Sequence, residues 1–133
     1  MATGVEQLEA LSGRRVLVVE DDFVVAEDFA AILRGAGAEV IGPVDTLPRA
    51  IRVAQECDSL HCALLDIDLQ GIAVFPLAAQ LQAEGIPMIF LTGAGCDAIP
   101  EELAEILCIG KPIGPRRVME EICALIGIPS ATA

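Results

Sequence analysis

Short apolar runs rich in Val, Ile and Leu recur along the chain, and each stops at polar residues. The run at 15–20 (RVLVVE) shows no apolar-polar alternation, the pattern of a strand covered on both faces within a parallel sheet. Runs at 39–44 (EVIGPV), 59–67 (SLHCALLDI), 87–92 (PMIFLT) and 108–110 (CIG) predict four more strands. Between them the spacing becomes helical. Phe23, Ala26, Ala30 and Leu33 follow Asp22, a good N-cap residue, and Gly35 and Gly37 punctuate the end. Thr46 ahead of Leu47-Pro48 opens a second helix to about residue 56. Residues 75–84 form a third, closed by Gly85. A short fourth spans 100–107, with Glu101 and Glu102 in the first turn, where the helix dipole favours acids. The last spans 114–126, with Val118, Ile122, Leu125 and Ile126 on one face. Strands alternating with helices imply right-handed crossovers and a three-layer α/β sandwich. One domain is expected over 14–127, with 1–13 an N-terminal extension and 128–133 a C-terminal tail.

Composition narrows the possibilities. Among 133 residues only four are aromatic and twenty are Ala, so the core must be aliphatic, with small residues letting layers approach closely. No apolar run reaches the length of an ordinary transmembrane helix, and the first residues lack the apolar stretch of a secretory signal. A cytoplasmic protein is expected, with no membrane partner. The net charge of -12 repels phosphate backbones, which argues against nucleic acid. Cys57, Cys62, Cys96, Cys108 and Cys123 are odd in number and lack a C-x-x-C pair, so no disulfide and no structural zinc is expected. They read as small apolar residues in a reducing compartment. His61, the single histidine, reads as a strand-entry residue.

Ligands of an open parallel sheet bind beyond the carboxyl ends of its strands. There the first strand ends in Glu20, Asp21 and Asp22; the third in Asp66, with Asp68 two residues on; the fourth in Thr92; the fifth in Lys111-Pro112. Carboxylates crowded on one rim repel, by about 4 kcal/mol per pair some 4 Å apart at an effective dielectric of 20. A hard divalent cation such as Mg2+ relieves that repulsion, as do raised carboxyl pKa values. Lys111 adds a positive charge, and Thr92 adds a hydroxyl donor suited to a tetrahedral anion. Each motif alone has a bland reading: Glu-Asp-Asp is commonly a helix-capping turn, Asp66 could cap a loop, and Lys-Pro says little. Their joint order at four strand ends is the signal.

LVVEDD, LLDIDLQG, IFLTG and GKP together resemble the signature of bacterial two-component response-regulator receiver domains, over about residues 14–127. The resemblance implies a flavodoxin-like fold with strand order 2-1-3-4-5. It implies phosphorylation of Asp66 by a histidine kinase or phosphotransfer protein. It further implies Mg2+ held by Glu20 (through water), Asp21, Asp66 and the backbone carbonyl of Asp68, with Asp22 the helix cap. Thr92 would hydrogen-bond the phosphoryl group, Lys111 would form its ion pair, and Lys111-Pro112 would be cis. Such a domain phosphorylates and dephosphorylates itself without being a turnover enzyme. Its output would be protein contact through the fourth helix, fifth strand and fifth helix, with an unknown downstream protein.

Several positions depart from the usual pattern. Cys108 stands where an aromatic residue three before the Lys moves with the Thr; Ile113 replaces a common Phe, and Gln70 a common Pro. These departures, the short stretch from Thr92 to Lys111 and Phe90-x-Thr92-Gly93 are similar to the alphaproteobacterial Phe-Ala-Thr-Gly receivers, although Leu91 replaces Ala. Order and disorder of 93–100 would then replace the aromatic flip. Two other functions compete. A degenerate receiver would only bind partners. A D-x-D phosphatase would use Asp66 as nucleophile and Asp68 as acid/base, but in those enzymes the D-x-D strand precedes the acidic pair.

Overall fold

The computed structural model describes residues 10–128. Five strands form one parallel sheet: β1 (Arg15–Val19), β2 (Glu39–Val44), β3 (Cys62–Asp66), β6 (Met88–Thr92) and β7 (Leu107–Gly110), in the order β2-β1-β3-β6-β7. This is the expected order. The numbering differs because β4 (Asp68–Leu69) and β5 (Ile72–Ala73) form a small antiparallel hairpin after β3 that the apolar pattern did not reveal. Four α-helices flank the sheet: α1 (Phe23–Gly35), α2 (Leu47–Glu56), α3 (Phe75–Ala83) and α4 (Pro115–Leu125).

Alternation along the strands divides the core in two. Leu17, Val19, Leu65 and Phe90 face α2 and α3, meeting Ala50, Leu77 and Leu81. Val16, Val18, Leu64, Ile89 and Leu91 face α1 and α4, meeting Phe29, Leu33, Val118 and Ile122. Each buried Leu or Ile contributes roughly 1.5–3 kcal/mol. The second layer also takes in Leu11, which is fully buried and whose amide donates to the Ala36 carbonyl at 2.8 Å. Residues 1–9 and 129–133 of the expected extension and tail lie outside the described residues.

Two local features position the rim. Asp22 caps α1, its carboxylate accepting from the Val24 and Val25 amides, which starts the helix directly after the acids of β1. In β2, three steps from Ile41 to Val44 match two from Leu17 to Val19 in β1. The extra residue is absorbed at Gly42, whose φ of 102° suits glycine and where a Cβ would lie 2.9 Å from the Val18 carbonyl. The bulge leaves the Val44 carbonyl facing the Glu20 amide at 2.9 Å, which carries the β1 backbone in register to the acid.

One expected element is further reduced. The fourth helix shrinks to a single 3₁₀ turn at Glu101–Leu103, because Leu107 already belongs to β7 and less than two α-helical turns remain after Pro100. Glu101 and Glu102 still sit in its first turn. Among the described residues no helix is long and apolar enough to cross a membrane.

Candidate functional site

The carboxyl ends of β1, β3, β6 and β7 bring Glu20, Asp21, Asp66, Thr92 and Lys111 together. Glu20, Asp66 and Thr92 are 2%, 5% and 5% exposed, the polar residues the fold buries among those described. Carboxylate oxygens of Glu20, Asp21 and Asp66 lie within 4.8 Å of one another. Lys111 reaches over them: its Nζ donates to Glu20 Oε1 and Oε2 at 3.0 and 3.2 Å and to Asp66 Oδ2 at 3.3 Å. Lys111 is delivered by the β6–β7 pairing, its amide donating to the Thr92 carbonyl at 2.7 Å. Its peptide bond to Pro112 is cis, as the resemblance implied; a second cis bond, Gly42-Pro43, was not foreseen.

Backbone amides hold the acids from the other side. Asp66 Oδ1 accepts from the Asp68 amide at 3.3 Å, and Glu20 Oε2 from the Asp22 amide at 3.1 Å. Asp21 Oδ2 accepts from the Gln70 amide at 2.9 Å. Gln70 has φ 56°, so a Pro there could neither adopt this conformation nor donate the bond. Sequence reasoning noted Gln70 only as a departure; its role emerges from the fold of the β4–β5 hairpin. Asp68 stands apart from the carboxylate cluster: it is exposed, and its side chain caps the turn by accepting from Gly71 at 2.7 Å. His61 Nδ1 accepts from the Arg15 amide at 2.9 Å, a backbone-anchoring role at the entry to β3.

The electrostatics follow from crowding. Burial, then the charge of Glu20, pushes the Asp66 carboxyl up to about 7, against the opposing pull of Lys111. Burial lowers the Lys111 ammonium, but hydrogen bonds and charge from Glu20, followed by Asp66, outweigh it and hold Lys111 above its ordinary value. A single ammonium does not neutralise three carboxylates. Oxygen-only donors, two of them buried, with a surplus of negative charge, are the donor set a hard divalent cation takes.

The expectation for the cysteines is corrected. Cys96, in the segment after β6, is joined to Cys108 in β7 by a disulfide. A search for C-x-x-C pairs misses it because the contact is tertiary: Cys108 pairs in register with Phe90, and the chain beyond Thr92 folds back over it. Cys62 and Cys123 are free and buried, as small apolar residues would be, and Cys57 is free and half-buried.

Comparison with known proteins agrees with this arrangement. Residues 16–122 match the response regulator receiver domain family. The chain is 30% identical over 126 residues to the sensor protein TorS of Escherichia coli, covering 90% of this chain and 14% of that protein. It is 29% identical over 115 residues to the phyllosphere-induced regulator PhyR of Methylorubrum extorquens, covering 84% of this chain and 43% of that one. The chain thus spans less than half the length of either relative. The solution structure of the BeF3-activated conformation of SdrG from Pseudomonas melonis superposes with a TM-score of 0.69 at 27% identity, over 84% of this chain and 95% of that one. An open parallel sheet with an acidic rim closed by one Lys is the architecture of a signalling receiver. The chain belongs to the response regulator receiver domain family.

Proposed function

We propose that this receiver accepts a phosphoryl group on Asp66 from a histidine kinase or histidine phosphotransfer protein. One observation carries the reading: a buried Asp at the end of the central strand, hydrogen-bonded at once by Lys111 and by a backbone amide, beside two further acids. Glu20, Asp21, Asp66 and the backbone carbonyl of Asp68 would hold Mg2+, with Glu20 reaching it through water. Bound there, the ion supplies positive charge at the phosphoryl oxygens.

Asp66 attacks as its carboxylate. Phosphorus gains a bond to a carboxylate oxygen and loses its bond to the donor imidazole nitrogen, which keeps the electron pair. Lys111 stabilises the charge that builds on the transferring group. The acyl phosphate then brings about -1.5 to -2 charge and three acceptor oxygens where Oδ2 had faced Lys111. Thr92 Oγ1 now accepts from the Ala94 amide at 3.0 Å, and its own proton is free to be donated to the new oxygens. Movement of Thr92 pulls on Ala94, so the change passes into residues 93–100, and this order-disorder response replaces an aromatic flip. The exposed Phe23 and Val24 at the start of α1, beside the rim, offer apolar contact to the donor. Output runs by protein contact through the 3₁₀ turn, β7 and α4, in a cytoplasmic setting, and the sub-group placement among Phe-Ala-Thr-Gly receivers fits the reduced fourth helix and Cys108.

Incubation with acetyl phosphate and Mg2+, followed by intact mass, tests the reading. The expected result is one added phosphoryl group on the wild type and none on Asp66→Asn; no gain on the wild type, or an equal gain on the variant, refutes it. A domain that only binds partners, or a D-x-D phosphatase, has no observation in its favour over this one.

A further inference from the structure

We infer that the Cys96–Cys108 disulfide is a reversible thiol–disulfide modification site whose state governs how residues 93–98 move over the acidic rim. Its influence on phosphoryl chemistry rests on the phosphoacceptor reading above; the exchange chemistry and the loop motion do not.

Residues 93–98 are all exposed, and Gly93 and Gly95 leave the backbone free, Gly95 at φ 98°. Within this segment the hydrogen bonds are few: Ala94 to Thr92 Oγ1 at 3.0 Å, and Cys96, whose carbonyl accepts from Ile99 at 3.5 Å. Apolar anchoring begins only at Ile99 and Leu103. The covalent bond to Cys108 is therefore the principal restraint on the segment. Cys108 lies in β7 two residues before Gly110, which pairs with Thr92, and three before Lys111. The bond thus links the moving segment to the strand that carries the Lys. The same segment walls a groove of about 340 Å³ that is also lined by Asp68, Phe75 and Thr92. Whatever displaces Cys96 changes the width of that groove and the hold of Ala94 on Thr92.

The chemistry is open to a reductant. Cys96 is exposed and Cys108 half-buried, so an external dithiol reaches the Cys96 sulfur first. One thiolate of the dithiol bonds to Cys96 Sγ, the Sγ–Sγ bond breaks, and Cys108 leaves with the electron pair and takes up a proton. The second thiol of the reductant then displaces Cys96, which is released as a thiol, and the reductant departs as its own disulfide. Two electrons pass to the protein; a small disulfide oxidant reverses the sequence. An accessible disulfide in a thiol-buffered compartment is regulatory more often than permanent. Two of the other thiols are shielded: Cys62 and Cys123 are buried, and burial pushes the Cys62 thiol up to about 12, which leaves the half-buried Cys57 as the thiol to control for.

The test uses the full chain, oxidised with a small aromatic disulfide or reduced with dithiothreitol, and reads three signals. Peptide mapping should show a 96–108 cross-link that dithiothreitol removes; its absence after oxidation overturns the proposal. Amide exchange over 93–98 should quicken on the order of tenfold on reduction, and equal exchange in both states overturns it. With acetyl phosphate and Mg2+, phosphoryl occupancy should be several-fold higher in the reduced protein, where Ala94 no longer holds Thr92. Cys96→Ser, an exposed substitution, should match the reduced protein and ignore dithiothreitol, whereas Cys57→Ser should remain sensitive. Reductant sensitivity that survives in Cys96→Ser, or phosphoryl uptake that occurs in both states to the same extent, overturns the proposal. If neither state takes up phosphate, the phosphoacceptor reading fails, while the cross-link and the exchange difference still establish the redox site.

Discussion

The acidic rim and the 93–107 segment lie side by side at one end of the sheet and are built on opposite principles. On the rim, each functional side chain ends or directly follows a strand of the sheet, and backbone amides or Lys111 hold every acid from a second direction. In the neighbouring segment up to β7 most hydrogen bonds are short-range, Gln82 Nε2 donating to the Glu102 carbonyl at 3.2 Å being the exception, the secondary structure is one 3₁₀ turn, and a disulfide supplies the covalent long-range tie. The rim resists deformation because moving one acid disturbs several strands at once. The segment can be rearranged at little cost, so a signal generated on the rim has somewhere to go.

The sharpest break of this contrast is Asp66→Asn, which should abolish phosphoryl uptake from acetyl phosphate altogether while leaving the 93–107 segment unchanged by amide exchange. Next comes Lys111→Met. It leaves two buried carboxylates without their shared ammonium and should cost about 3–5 kcal/mol in urea unfolding at pH 7.5 without divalent cations, with part of the loss restored by Mg2+.

The raised Asp66 carboxyl gives a pH signature. With an unfolded value near 3.9, the native state binds the additional proton between roughly pH 4 and 7. The stability of the metal-free wild type therefore falls as pH rises through that window. Asp66→Asn lacks the penalty, so its advantage should grow from near zero at pH 4 to about 2–4 kcal/mol at pH 8. Mg2+ should shrink the gap at pH 8 and do little at pH 4. A constant gap across this range would remove the electrostatic account of the rim.

Gly42→Ala tests whether the rim depends on the distant β2 bulge. A Cβ at φ 102° and 2.9 Å from a backbone carbonyl should cost about 2–3 kcal/mol and weaken Mg2+ binding by displacing Glu20. An effect of the same size, confined to oxidising conditions, belongs to the segment. Cys96→Ser should lose about 2–3 kcal/mol under oxidising conditions, the entropy of a loop closed over a sequence separation of 12, and nothing in dithiothreitol.

The strand ends were legible because a parallel sheet leaves a period-free apolar signal and stops it at polar residues. Arg15, Glu39, Val44 and Thr92 are strand limits in both the pattern and the structure. The site residues were legible for the same reason: Asp66 and Thr92 end their strands, Glu20, Asp21 and Lys111 follow theirs, and the topology brings them together. The helix expected at 100–107 misled, because local acids and Pro100 promise a start but cannot say that β7 claims the chain from Leu107.

By itself the amino-acid order determined the layers, the strand sequence and the chemical character of the rim, since these depend on which residues are apolar and where they stop. Tertiary structure alone decided the Cys96–Cys108 bond, the Gly42 bulge that sets Glu20, and the Gln70 amide that fixes Asp21. The last two depend on backbone geometry and the first on residues brought close by strand pairing, and neither leaves a periodic trace along the chain.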